Sequence, residues 1–203
     1  MRLPRFRAFA VVFAIGFLAG ADDPPKPQRD PQSNVEPRSS PGAGQKFLQK
    51  FVGDWDVVKT LHIRPDQPLK MTGECRQTMV HDGRFLKSEF VFTRNGVKST
   101  GLGMIGFEAE TGTFTSVWTD SRTTKMSLRQ SQEPFNGEEI VLHDRWLSEN
   151  SKGKYRSRTV TRLEDNGRKI VHRAYVTMPD GKERLFMELL MTPKAAARQP
   201  AGN

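Results

Sequence analysis

Trp118 and Asp120 stand two residues apart in the segment TFTSVWTD, Thr113 to Asp120. In an extended chain that spacing turns both side chains to one face. An aromatic wall beside a carboxylate suits a small, partly apolar ligand with one hydrogen-bonding group. Asp144, Glu89 and Glu188 have similar apolar strand surroundings, and Glu188 alternates with Phe186 and Leu190. A carboxylate turned into a barrel would be desolvated and its pKa raised, unless an arginine pairs with it. Arg84 and Arg145 are the candidate partners. His172 alternates with Ile170, Ala174 and Val176 and so belongs to an apolar face. Trp146 joins Trp118 as a second candidate cavity tryptophan. The candidate ligand-binding set is therefore Trp118, Asp120, Arg84, Trp146, Glu188 and His172. The plainer alternative is an ion pair that fixes strand register for the carboxylates, and a core hydrogen bond for the histidine.

Local motifs for covalent or metal chemistry are absent. The four histidines, His62, His81, His143 and His172, show no H-x-H or H-E-x-x-H spacing, and Cys75 is the single cysteine. No G-x-S-x-G elbow is present. No metal and no cofactor is expected, and binding is favoured over catalysis. Cys75 alone cannot form an internal disulfide, so stability has to come from a packed core.

The elements that must position these residues read as strand after strand. Asn95-Gly96 is a strong signal for a type I′ hairpin turn, which needs positive φ at both central residues. Gly101, Gly103 and Gly106 interrupt the following strand, which suggests curvature or a close backbone approach. Strands are expected at Gly53 to Ile63, Leu69 to His81, Arg84 to Arg94, Val97 to Phe107 and Thr113 to Asp120. Five more follow at Thr123 to Gln132, Glu138 to Ser148, Lys154 to Glu164, Arg168 to Met178 and Glu183 to Thr192. Tight turns and the lack of a long helical pattern argue for an antiparallel meander. Closing such a meander removes its exposed edges. The fold expected is an all-β, up-and-down antiparallel barrel of about ten strands, with a short helical turn at Gln45 to Phe51 before it.

Flanking segments differ in kind. Met1 to Ala21 has the form of an export signal: Arg2, Arg5 and Arg7, an apolar run from Ala8 to Leu18, and a small-residue site at Ala19-Gly20-Ala21. Cleavage after Ala21 would give a secreted or periplasmic protein with no transmembrane segment. Loss of the three arginines lowers the net charge from +9 to +6. Asp22 to Gly44 is rich in Pro, Ser and charge and reads as a disordered linker. Gln45 to Lys194 is the barrel domain, and Ala195 to Asn203 a loose tail.

One charge pattern crosses the barrel. Lys152, Lys154, Arg156, Arg158 and Arg162 share a parity, which would form a basic outer stripe able to meet an anionic envelope surface. Tyr155, Ser157, Thr159, Thr161 and Leu163, on the other parity, would form a mostly small-polar face pointing inward. Partners are thus a small apolar or amphipathic ligand and, as an alternative, an anionic envelope surface. Nucleic acid is not expected for an exported chain, and oligomeric state is open.

Gly53-Asp54-Trp55 after a short helical turn resembles the opening signature of lipocalin-like (calycin) barrels, a resemblance that implies Trp55 as the plug of the closed end. A longer ordered set resembles the bacterial family called domain of unknown function 1579. It comprises Gly83-Arg84-Phe85-Leu86, Gly101-Leu102-Gly103-Met104-Ile105-Gly106-Phe107, Ser116-Val117-Trp118-Thr119-Asp120-Ser121, Pro179-Asp180-Gly181-Lys182-Glu183 and Met187-Glu188. Phe107-Glu108 departs from the family's more usual Tyr-Asp. The family implies a barrel and no particular reaction.

Overall fold

Asn95 and Gly96 both take left-handed backbone, with φ of 49° and 77°, and so reverse the chain in the tight turn their types favour. They join β3 (Phe85–Arg94) to β4 (Val97–Glu108) in continuous antiparallel register, from Arg94 opposite Val97 to Phe85 opposite Gly106. The computed structural model describes residues 40–64, 66–145 and 156–195. These fall within one compact unit, Ser40–Asn203. The expected signal peptide, residues 22–39 of the expected linker and Trp146 lie outside the described residues, as do Lys152, Lys154, Tyr155 and the tail beyond Ala195; Ala43 and Gly44, expected in the linker, instead open a short helix.

The remaining strands are β1 (Gly53–Leu61), β2 (Leu69–Val80), β5 (Thr113–Asp120), β6 (Ser127–Gln130), β7 (Glu139–Arg145), β8 (Arg156–Glu164), β9 (Lys169–Thr177) and β10 (Glu183–Pro193). Each pairs with its sequence neighbour, and β10 pairs with β1 to close the barrel. This is the up-and-down, ten-stranded antiparallel barrel expected from the meander. β6 is shorter than expected, because the chain from Ser121 to Met126 makes a loop before pairing resumes.

One short α-helix among the described residues, α1 (Ala43–Gln49), covers one end. Seven residues are too few to hold a helix in water unaided. Packing holds it: Leu48 and Phe51 are almost wholly buried, and each such burial contributes about 1.5–3 kcal/mol. Gln45 ties the helix down at both ends of its amide, accepting from the Gly42 N–H and donating to the Phe107 carbonyl, each at 2.8 Å. Phe47, Phe107, Phe114 and Phe135 pack edge to face or tilted around it, with ring centroids 4.8–6.3 Å apart. Trp55 is buried in this end, and its indole N–H donates to the Phe51 carbonyl at 3.0 Å. Cys75 is buried on the neighbouring strand as a free thiol.

Candidate functional site

Inside the barrel, alternation selects the wall. On β1, Trp55, Val57 and Lys59 are buried while Asp54, Asp56 and Val58 face out. On β3 the inward set is Leu86, Ser88, Phe90 and Phe92. On β10 it is Met187, Leu189 and Met191. The wall encloses a cavity of about 250 Å³. Its apolar lining comes from α1, β3, β4, β5, β7, β9 and β10, and polar groups interrupt it at a few positions.

Trp118 and Asp120 do share a face, and they touch. The indole Nε1 donates to Asp120 Oδ2 at 3.1 Å. The Trp118 ring lies flat against β4. A Cβ at Gly101 would fall 2.4 Å from the ring and one at Gly103 3.3 Å, so glycine leaves the space the indole fills. Phe90 meets the same ring edge to face at 5.5 Å. Asp120 is paired by Arg122, not by Arg84 or Arg145. Arg122 Nη2 and Nε lie 2.7 and 3.3 Å from the two carboxylate oxygens, and the Arg122 backbone N–H adds a bond of 2.9 Å. These bonds hold the Asp120 carboxyl well below the usual carboxylate range, so it stays ionised.

Lys59 is the unexpected member. It is 6% exposed and lines the cavity. Its ammonium sits over the Phe92 ring, 4.9 Å from the centroid. It makes no ion pair among the described residues. Burial, with the nearby Arg122 charge, pushes its pKa down, and the Asp120 charge acts the other way.

Further polar groups face inward. Gln77 is 7% exposed; its Nε2 donates to Ser88 Oγ at 2.9 Å, while Oε1 has no hydrogen-bond partner among the described residues. His172 does face the cavity, and its Nδ1 shares a 2.8 Å hydrogen bond with Thr161 Oγ1. Burial and the Arg129 charge lower its pKa to about 4, so the imidazole is neutral at neutral pH. Arg129 pairs with Asp144 at 3.1 Å, and Asp144 also accepts from the Ser157 N–H and hydroxyl at 3.0 and 2.6 Å. The small-polar parity of β8 points inward as expected: Thr159 is buried, and Thr159 and Thr161 line the cavity.

Other expected site residues lie elsewhere. Glu188 is on the outer side of β10, paired with Arg173 at 2.7 Å; Met187, Leu189 and Met191 hold the inner side. Both parities of that strand are apolar, so alternation alone could not separate them. Arg84 is in the β2–β3 turn, against Asp82 at 3.7 Å and the His81 carbonyl at 3.2 Å, away from the cavity wall. Glu89 faces out and pairs with Lys87 at 3.0 Å. Arg145 is exposed at the end of β7. Trp146 lies outside the described residues. On the outer stripe, Arg158 is bound by Glu183 at 2.6 Å and covers the Tyr175 ring at 4.5 Å, and Arg162 is paired with Glu139.

Sequence reasoning missed Lys59, Gln77, Arg122 and Arg129. Lys59 carried a usable signal, since it shares the parity of Trp55 and Val57 on β1. Arg122 and Arg129 did not, because they flank or occupy a strand whose start was misplaced.

Solved structures of similar fold include Rv2717c from M. tuberculosis, with a TM-score of 0.55 and 12% identity over 77% of this chain and 99% of that one. Another is an S-type phycobiliprotein lyase, CPES, from Guillardia theta, with a TM-score of 0.49 and 12% identity over 81% and 98% of the two chains. At such identity the first likeness is one of fold. No curated protein matches the sequence. The model of the family described as a protein of unknown function, DUF1579, matches residues 40–192, and the chain belongs to that family.

Proposed function

We propose that the barrel is a binding module that holds a small apolar or amphipathic molecule in its interior. The observation that carries this reading is the cavity of about 250 Å³, largely apolar, with a few fixed polar groups. Acid–base catalysis is less well supported, since Asp120 and Asp144 are each engaged by an arginine. Envelope docking through β8 is also less well supported, because Arg158 and Arg162 already have carboxylate partners. We propose further that the protein works after export, on the strength of the Met1 to Ala21 pattern alone; sequencing the N-terminus of the secreted chain tests that point.

Titration with the neutral dye N-phenylnaphthylamine tests the binding reading. Saturable one-to-one binding is expected, with energy transfer from tryptophan. Leu142→Phe adds bulk to the wall and should weaken binding at least about tenfold while the chain stays folded. No dye binding, or unchanged binding in a folded Leu142→Phe protein, would overturn it.

A further inference from the structure

Among the described residues, the cavity wall holds three cations, Lys59, Arg122 and Arg129, and no carboxylate. Arg122 and Arg129 are neutralised by Asp120 and Asp144 beside the wall. Lys59 has no such partner, although it is buried. An ammonium taken out of water without an anion is costly, and a contact with one aromatic face returns only part of that cost. Strand β1 could accommodate methionine or leucine at this point, since Val57 and Trp55 before it are apolar. The charge is therefore unmatched among the described residues.

Its surroundings indicate what would match it. Asp120 occupies Nε and Nη2 of Arg122, which leaves Nη1 of a guanidinium that also lines the cavity. Lys59 and Arg122 are close enough for their charges to oppose one another. Deeper in the barrel, Leu86, Leu142, Ile170 and Met191 offer an apolar surface. A second polar point, Gln77 Oε1, is buried and unpartnered. A buried acceptor of this kind is nearly always satisfied in the working state of a protein.

We infer that the cavity takes a small carboxylic acid, with its carboxylate bound between Lys59 and Arg122, its apolar body against the inner wall, and a hydroxyl or N–H on that body meeting Gln77. This rests on the reading of the barrel as a binding module. One unmatched positive charge suits a singly charged carboxylate better than a doubly charged phosphate.

Octanoate and its neutral isostere octanamide separate the inference from the reading beneath it. Calorimetry on the full chain should show octanoate bound about tenfold or more tightly than octanamide, the usual weight of a charge-assisted hydrogen bond. Lys59→Met should bring that ratio close to one. Lys59→Gln, which keeps a polar terminus, should behave the same way. Equal affinities in the parent protein, or a ratio that survives in both variants, would overturn the acid and leave the cavity reading standing. Failure of either ligand to bind, with N-phenylnaphthylamine also excluded, would overturn both.

Discussion

The interior wall and the outer face of β8 both carry cations, and they treat charge in opposite ways. Outside, Arg158 meets Glu183 of β10, two strands away, and Arg162 meets Glu139 of the adjacent β7, both at the surface, where such pairs contribute little. Around the cavity, the half-exposed Arg122 and the half-buried Arg129 are matched, and among the described residues the buried Lys59 is left over. Surface cations can be numerous without consequence, because solvent screens them. A single buried one has no screen, so its lack of a partner shapes what the cavity can accept.

Changes at buried groups should therefore outweigh changes at the stripe. His172 is expected to give the largest effect. Its pKa is near 4 in the fold against about 6.5 in an unfolded chain, so the fold favours the neutral ring. The resulting stability is complete above about pH 6.5 and is lost as the pH falls toward 4, on the order of 3 kcal/mol. Urea titrations across that window should show the loss, and His172→Gln should flatten it. A parent protein with no such slope would mean the ring is far more solvated than its place in the wall implies.

Asp120→Asn comes next, at about 2 kcal/mol of destabilisation, since Arg122 loses its anion and then faces Lys59 uncompensated. The Asp120 carboxyl titrates below its unfolded value, so its contribution is present above about pH 4 and fades below it. The difference in stability between the parent and Asp120→Asn should shrink in that acid range.

Lys59→Met should move stability the other way, raising it by about 1 kcal/mol in chemical denaturation without ligand. The lysine pKa is lowered, so its cost is present in full below the folded value. The cost is recovered as the pH climbs toward about 10.4, and the gain from the substitution should disappear there. A loss of stability at neutral pH would show that the ammonium is well satisfied within the chain. Arg158→Ala, at the matched outer pair, should cost less than about 1 kcal/mol and leave dye affinity unchanged. Smallest of all, Glu188→Gln should leave ligand affinity as it was, because that side chain faces away from the cavity. A change in binding with Glu188→Gln would erase the distinction between the two faces.

The barrel was legible because its signals are local. Asn95-Gly96 dictates its own turn, and alternation on β8 separates the arginines from the threonines without help from elsewhere. Trp118 and Asp120 were legible for the same reason, being two residues apart on one strand. Their partner Arg122 was not, since it lies in a loop after the strand ends, where period no longer predicts direction. Glu188 was misplaced because β10 is apolar on both faces, so no contrast marked its inner side. Lys59 had the right parity but the wrong chemistry: lysine on a strand is ordinarily read as solvent-facing, and only the closed wall makes it interior.

The pairing of β1 with β10 has a consequence for the order in which the molecule is made. Trp55 finds its strand partner at Pro193, near the far end of the described chain. Until β10 emerges from the ribosome, β1 through β9 can form hairpins but must wait with two open edges, β1 and β9, each able to pair with another chain. The last strand both completes the wall and removes those edges. A chain that stops before Glu183 would therefore do more than lose one strand: it would keep the nascent, adhesive form as its final state.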